Sequence, residues 1–378
     1  MARVLQLIDS GGLYGAERVV LALLQELATA EHSAILGCIC EQGVEDSPLA
    51  REALSKGIPI AQFPMRRGLS VKGIRAISRY VRENGIQVIH AHGYKADLFA
   101  RFIRVPNVRK MATVHGWSKQ DLGIKGKLYR LLDTAALKGM DKVIAVSEAI
   151  AHDLQSRTFA AEKVAVIHNG IAVDPATAKV DRIALRNRFA LGQSDFVIAC
   201  VGRLANVKGH KYLIEAVDLL LKEHPDCCLV IAGDGPLRPQ IEAMIADRKR
   251  GHRIRLVGFT TDISAFLAMS DVFVLPSLSE GLPISLLEAM ASGLPVVASA
   301  VGGICEVVTS PEYGVLVAPA DSAQLFGALK DLYQRPDRRK ALGNAAIKLV
   351  REKFSAGVMA LQYEAVYSNL ASKKALSS

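Results

Sequence analysis

Two glutamates stand eight residues apart in PSLSEGLPISLLEAM, residues 276–290: Glu280 in a Pro/Ser/Gly loop and Glu288 inside a run that is otherwise apolar. A carboxylate buried without a partner is costly. Glu288 therefore demands a cation, backbone donors, or the paired hydroxyls of a sugar or ribose, which a carboxylate accepts well; an internal salt bridge would satisfy it equally. Two cations stand five residues apart in FVIACVGRLANVKGH, residues 196–210. Arg203 can grip two oxygens in its planar fork and Lys208 supplies a mobile point charge, a combination that suits a diphosphate. A pair of solvated surface charges is the alternative. His115 closes the run KMATVH beside Gly116, where an imidazole can position a substrate or serve the fold alone. His90 and His92 (IHAH) end another such run and read as supporting or structural.

Glycines surround these groups. IDSGGLYGAE, residues 8–17, takes the chain from a strand through Gly11 and Gly12 into a helix, where the backbone can approach a ligand and the helix start favours an anion. Its G-G-x-x-G spacing departs from the G-x-G-x-x-G dinucleotide fingerprint, although Glu41 ends the second strand where a ribose-binding acid would sit. IAGDGP (231–236) and VVASAVGGICEVV (296–308) are further glycine loops after strands. No His/Asp/Glu cluster has metal-ligand spacing, and no D-x-D pair occurs, so a carboxylate-held divalent ion carrying a nucleotide diphosphate is not expected.

The elements that must position these residues alternate along the chain. Strand patterns at 4–8, 33–40, 58–63, 87–90, 109–115, 142–147 and 163–168 are interleaved with helix patterns such as 16–28 and 70–84. In the latter, Val71, Ile74, Ile77 and Val81 form an apolar stripe opposite Arg and Lys. A polar stretch at 174–182 reads as a linker. Strand patterns then resume at 196–202, 228–233, 253–259, 271–276, 295–299 and 314–319. The helix carrying Glu288 is expected to start near Pro283 or Ile284, with Pro at a first helical position. This alternation in two blocks predicts an α/β protein of two Rossmann-like, doubly wound parallel-sheet domains facing a central cleft, where ligands bind beyond the carboxyl ends of the strands. The expected domains are 1–175 and 176–378, with the C-terminal helix, about 355–372, packing back on the first.

Composition narrows the classes. Of the 378 residues half are apolar, as in an ordinary globular protein, and no run is long enough to span a membrane. The N-terminus lacks a signal-peptide pattern, and the six cysteines, none in a C-x-x-C pair, read as reduced thiols of a cytoplasmic protein. The net charge of +10 is concentrated: residues 66–130 hold fifteen Lys or Arg against three Asp or Glu. That block suggests an anionic partner such as a membrane surface, or else a solvated face. With few aromatics and no interleaving of rings and cations, nucleic acid is not expected.

The order GG…E, IHAH, a strand-ending His, VIHNGI, GRLANVKG, GDGP, PSLSEGLPISLLEAMASGLPVVAS and VGGICE resembles the retaining glycosyltransferases of family 4, from about residue 4 to about residue 370. The resemblance implies the GT-B fold. It also implies that Arg203 and Lys208 hold the donor diphosphate and stabilise it as leaving group, that Glu280 binds hydroxyls of the transferred sugar, and that Glu288 binds the ribose. His115 would lie near the sugar and acceptor. Gly12, Gly202, Gly233, Asp234, Gly281, Leu282, Pro283 and Ile284 would line the donor, with Gly11, Tyr14, His92 and Asn169 as acceptor-side candidates. Two departures stand out: Cys305 where Pro is common, and Pro283 in EGLP where EGFG is frequent, which removes a backbone donor. The function implied is transfer from a nucleotide-diphosphate sugar, UDP-linked rather than GDP-linked, to a glycan or lipid-linked hydroxyl in cell-surface glycan or glycolipid synthesis. It would proceed with retention by front-face attack, without cofactor or metal, from a peripheral position at the inner membrane face. A nucleotide-sugar epimerase and a non-catalytic nucleotide-sugar-binding protein are the alternatives.

Overall fold

The computed structural model describes residues 2–9, 12–29, 33–44, 46–66, 68, 70–116, 124–157, 159–173 and 181–372. Gly11 and most of the expected linker lie outside them. The chain divides into two compact units, one of Met1–Ala172 with Phe354–Ser378 and one of Val173–Lys353.

The first unit holds strands β1 (Arg3–Asp9), β2 (Ser33–Glu41), β3 (Ile60–Met65), β4 (Val88–His92), β5 (Arg109–Val114), β6 (Lys142–Ala145) and β7 (Val164–Val166). Between them run helices α1 (Gly15–Thr29), α2 (Pro48–Ser55), α3 (Val71–Glu83), α4 (Tyr94–Phe102), α5 (Ile124–Lys138) and α6 (Glu148–Gln155). The second unit opens on α7 (Arg182–Arg188). It continues through β8 (Phe196–Val201), α8 (His210–Glu223), β9 (Cys227–Ala232), α9 (Arg238–Asp247), β10 (Ile254–Gly258), α10 (Ile263–Ala268) and β11 (Val272–Leu275). Then come α11 (Ile284–Ala291), β12 (Val296–Ser299), α12 (Ile304–Val307), β13 (Val315–Val317), α13 (Ser322–Gln334) and α14 (Pro336–Lys353). Helix α15 (Ala356–Ser372) returns to the first unit.

Both sheets are parallel, in the orders β3-β2-β1-β4-β5-β6-β7 and β10-β9-β8-β11-β12-β13. The order reverses between β1 and β4 in one and between β8 and β11 in the other. A crevice at such a reversal is where open α/β sheets take ligands. Helices on both faces bury strands such as β4 and β9 along their whole length, which is why these read as continuous apolar runs. Strand β3 carries Pro64, which cannot donate to a ladder, and it lies at the sheet edge where that is tolerated. Side-chain oxygens of Ser47, Ser70, Ser147, Asp181, Asp262 and Asp321 cap α2, α3, α6, α7, α10 and α13 by accepting from backbone N–H groups of the first turn.

The core of the second unit shows why its helices lie where they do. Leu213, Val217 and Leu220 on α8 and Leu325, Leu329 and Leu332 on α13 close over Ile198, Leu229 and Ile231; each such side chain contributes roughly 1.5–3 kcal/mol by burial. In α3 the apolar stripe differs from expectation. Val71 is exposed, and the buried face is Gly73, Ile77 and Val81. Gly73 lies so close to Met65 that a Cβ would come within 2.7 Å of its Cε, so the face that packs is set by the i, i+4, i+8 row through that glycine, and Val71 at the helix start falls outside it. Five cysteines are buried free thiols; Cys305 is exposed. Burial pushes the Cys38, Cys200 and Cys227 thiols up to about 12, which keeps them unreactive.

The return of the chain is tightly held. Ile171 donates its N–H to the Phe354 carbonyl at 3.0 Å, and Ala356 donates to the Ile171 carbonyl at 2.7 Å. A Cβ on Gly170 would stand 2.5 Å from the Ser355 carbonyl oxygen, so only glycine permits this approach. Helix α15 is thereby aimed back along α1.

Candidate active site

In the second unit the strand ends at the reversal carry the charged residues. Strand β8 stops before Gly202, whose N–H donates to the Ala232 carbonyl at 3.0 Å. Gly233, at φ +145°, passes so close that a Cβ there would meet the Gly202 carbonyl oxygen at 2.0 Å. Two further glycines at positive φ close the same rim: a Cβ on Gly209 would meet the Pro276 carbonyl oxygen, and one on Gly302 the Glu280 carbonyl oxygen, each at 2.0 Å. Leu278 N–H donates to the Val207 carbonyl at 2.7 Å, and Gly303 N–H to the Gly281 carbonyl at 2.8 Å. The loops after β8, β9, β11 and β12 are thus stitched backbone to backbone.

This stitching brings together Lys208 and Glu280, which are 72 residues apart. Lys208 Nζ donates to Glu280 Oε1 at 2.6 Å, and Ser277 Oγ donates to the same oxygen at 2.6 Å. The Lys208 and Glu280 side chains are 22% and 10% exposed, enough enclosure for the pair to be firmer than a surface ion pair. The stem of Lys208 runs along Gly202, 3.6 Å from where a Cβ would stand. The sequence suggests separate roles for the two side chains; the structure joins them. Arg203 is exposed and turns no described side chain into a partner. Asp234 is also exposed, and its carboxylate accepts the N–H of Gly235 at 2.7 Å and faces Arg238 at 3.6 Å.

Pro283 is the N-cap of α11, one position earlier than a first helical residue, and its carbonyl accepts from Leu286 N–H at 3.2 Å. No side chain caps this helix end. Leu282, Pro283 and Ile284 are buried, and Gly281 is half-buried. Glu288 is half-buried too, on a narrow stripe with Ser285 and Ala291, while Leu286, Leu287, Ala289 and Met290 fill the interior. The helix that looks buried on every side therefore has one open face, and Glu288 is on it.

In the first unit Gly12 follows β1 and is buried, with Tyr14 close beside it and 61% exposed. Glu17 folds back to accept the Tyr14 N–H at 3.0 Å, a cap on the start of α1. His115, after β5, is half-buried; burial lowers its imidazole from 6.5 to about 4. His92 does not face the surface as an acceptor-side residue would. It is 3% exposed, with Nε2 on Gln6 Oε1 at 2.8 Å and Nδ1 on His115 Nε2 at 3.2 Å. The continuous strand β4 is buried to its last residue, which leaves His92 no open edge. Asn169 is likewise buried. Burial also holds His90 and His92 well below the usual imidazole range, with neighbouring imidazoles adding to the effect.

The sequence gives no sign of Gln6, Thr113, Tyr363 and Tyr367, which surround these histidines. Only the IHAH repeat hinted that several imidazoles gather there. Among the described residues, no three His, Cys, Asp or Glu side chains gather to hold a metal ion. A cavity of about 440 Å³ lies at the other pole of the second sheet, where Asp195, Asp226 and Asp271 precede β8, β9 and β11. Its Arg182 and Arg186 are bound to Asp271 at 2.5 and 2.8 Å, so its charges serve the fold.

Comparison with known proteins agrees with this geometry. A family described as "Glycosyl transferases group 1" matches residues 181–349, and "Glycosyltransferase Family 4" matches residues 14–175. Alpha-D-kanosaminyltransferase of Streptomyces kanamyceticus is 32% identical over 52% of this chain, which spans about half (51%) of that protein. The UDP-Gal:alpha-D-GlcNAc-diphosphoundecaprenol alpha-1,3-galactosyltransferase of Escherichia coli is 29% identical over 68% of this chain and 69% of its own. The crystal structure of Anabaena HepE in complex with UDP-glucose superposes with a TM-score of 0.85, at 21% identity over 98% of this chain and all of that one. Two matched families tiling one chain, over two parallel sheets that reverse at the same point in their strand order, lead to one conclusion: this protein belongs to the group 1 glycosyltransferases of family 4 and has the GT-B fold.

Proposed function

We propose that this glycosyltransferase moves a sugar from a UDP-linked donor to a hydroxyl acceptor, with retention of configuration and without a metal ion. The observation that carries the reading is the Lys208–Glu280 pair at the β8/β11 reversal. An ammonium has three donors; one is spent on Glu280, leaving others for the diphosphate whose charge grows as the bond to the sugar breaks. Both Lys208 and Ser277 use Oε1 of Glu280, which leaves Oε2 for a hydroxyl of the transferred sugar. Arg203, exposed on the loop that also carries Lys208, adds a second cation, and Glu288 on the open stripe of α11 takes the ribose hydroxyls.

Retaining hydrolases use two carboxylates about 5 Å apart, one as nucleophile. Here Glu280 is already committed to a lysine and a serine, and Glu288 is assigned to the ribose. Front-face attack follows, with the departing phosphate taking the acceptor's proton. Binding of UDP-glucose by HepE and the UDP-Gal donor in the name of the E. coli relative support the uridine assignment. The diphosphoundecaprenol in that name supports a lipid-linked acceptor. The basic region 66–130 would then rest on an anionic membrane surface. On the same unit Phe102, Leu128, Leu131 and Leu132 are exposed, and no described helix is long and apolar enough to cross a membrane.

A thermal-shift panel of nucleotide sugars, run with chelator present, tests the donor through binding linkage. Proton NMR of the product reads the anomeric configuration. Stabilisation by a UDP-sugar in chelator and an unchanged anomer are expected; an inverted product or a chelator-abolished activity would overturn the reading. A new nucleotide sugar formed from donor alone would favour the epimerase. Equal sedimentation with neutral and anionic liposomes would remove the membrane contact.

A further inference from the structure

A chain of hydrogen bonds runs beneath His115 and ends on the C-terminal helix. Gln6 Nε2 donates to Tyr367 Oη at 2.7 Å, across 361 residues of sequence. On the other side of the same amide, Oε1 lies 2.8 Å from His92 Nε2, and His92 Nδ1 lies 3.2 Å from His115 Nε2. Tyr367 Oη continues to His90 Nδ1 at 2.8 Å, His90 Nε2 to Thr113 Oγ1 at 2.7 Å, and Thr113 to Tyr363 Oη at 2.9 Å. Gln6, His90, Thr113, Tyr363 and Tyr367 are each 1% exposed or less.

We propose that Gln6 and His92 are positioning residues that hold His115 in the tautomer protonated on Nε2, so that its Nδ1 lone pair accepts a hydrogen bond from a substrate hydroxyl, and that the orientation of the Gln6 amide, held against Tyr367 of α15, sets the direction of this chain. The inference rests on the glycosyltransferase reading of His115 given above and deepens it. The direction follows from proton counting. The Gln6 amide spends its N–H on Tyr367, so its oxygen must accept, and His92 Nε2 must carry a proton. A neutral imidazole has one, so His92 Nδ1 is bare. The bond to His115 then needs the proton on His115 Nε2, which leaves His115 Nδ1 unprotonated. In the other direction Tyr367, having accepted from Gln6, donates to His90 Nδ1, His90 Nε2–H donates to Thr113, and Thr113 donates to Tyr363. Each bond of the chain thus has one donor and one acceptor, which lets the members polarise one another. Turning the Gln6 amide over would reverse the chain from end to end, so the amide carries the choice of tautomer, and its bond to Tyr367 ties the C-terminal helix to it.

The test uses the full chain labelled with 15N-histidine. Long-range 1H–15N spectra near pH 7.5 report each tautomer, with His115 assigned by loss of its signals in His115→Gln. The expected wild-type result is His115 protonated on Nε2. Two variants of similar disruption then divide the outcomes. His92→Asn places an amide oxygen where Nδ1 was and keeps the acceptor for His115. His92→Gln reaches only to the Nε2 position and removes it. The first should keep the tautomer and a kcat within about threefold of wild type. The second should mix the tautomers and lower kcat by roughly tenfold to hundredfold, with donor KM little changed. A wild-type His115 protonated on Nδ1, identical spectra for the two variants, or unchanged turnover in His92→Gln would each overturn the proposal. Failure of the glycosyltransferase reading itself would appear separately, as a wild-type protein that transfers no sugar from any donor while the tautomer spectrum stays as expected.

Discussion

The strand ends of the two units solve the same problem with opposite chemistry. In the first unit the polar groups at the reversal are neutral and satisfied by one another through side chains, from Gln6 to Tyr363. In the second a cation and an anion meet, and the loops that carry them are joined through backbone atoms at glycines. A neutral, buried network can orient a lone pair but supplies little field. An ion pair with donors to spare can answer a growing negative charge. Under the proposed function, the difference assigns the charge work of the reaction to the second unit and the orienting work to the first.

The largest expected effect sets these two against each other. Lys208→Ala should lower kcat by about 10²–10³, the scale of losing one donor to a developing anion. His115→Ala should cost less, roughly tenfold to hundredfold and no less than His92→Gln, since it removes one orienting contact. Turnover with saturating donor checks both, with circular dichroism to show that each variant is folded. A greater loss for His115→Ala than for Lys208→Ala would break the division of labour.

How much of this was legible in the sequence follows from the same contrast. The strand–glycine–helix junctions at Gly202, Gly233 and Gly302 announce themselves locally, because a close backbone approach needs glycine and a buried parallel strand needs an unbroken apolar run. Glu288 could be singled out by the cost of a charge beside apolar neighbours, Lys208 by its spacing from Arg203 in a loop after a strand, and Glu280 by its loop near a strand end. Their pairing could not, since no local rule fixes which loop lies against which. Gln6, Thr113, Tyr363 and Tyr367 were invisible for a stronger reason: in a strand or helix a neutral polar residue is unremarkable, and its partners lie up to 361 residues away. The burial of His92 fits its supporting or structural reading rather than the acceptor-side role that the resemblance implies, since β4 is covered to its last residue.

A second contrast concerns stability. Gly233→Ala forces a side chain into positive φ and against the Gly202 carbonyl oxygen at 2.0 Å. It should destabilise the second unit by about 3 kcal/mol or more. Gly93, which follows β4 at φ +88°, has open space around a Cβ. Gly93→Ala therefore carries only the backbone cost of its φ +88°, ψ 155° conformation, about 1–3 kcal/mol. Urea midpoints measure both. Equal losses would mean that the stitched rim of the second unit yields more easily than its contacts imply.

The smallest effect is a pH dependence that separates the units. His90, His92 and His115 in the first and His210 in the second all have imidazoles lowered by burial, His115 and His210 to about 4. Below the unfolded value of about 6.5 the unfolded chain binds protons that the folded chain refuses. Stability is therefore complete above pH 6.5 and falls as pH drops, with a slope of at most about 1.4 kcal/mol per pH unit for each group. Asp97 in the first unit opposes this. Asp97 is buried and faces Asp133 across α4 and α5; burial first and then that second carboxyl raise it well above its usual value. Its folded form keeps a proton that the unfolded form releases above about 3.9, so its contribution weakens as pH rises. Three imidazoles against one carboxyl still leave the first unit losing stability faster on acidification than the second. Scanning calorimetry at pH 7.5 and 5 should show the first unit's transition moving down further. Asp97→Asn, which removes the opposing group, should steepen that movement. A first unit that holds its midpoint at pH 5 while the second falls would mean that its histidines accept protons in the folded state, and the neutral half of the comparison would fail with them.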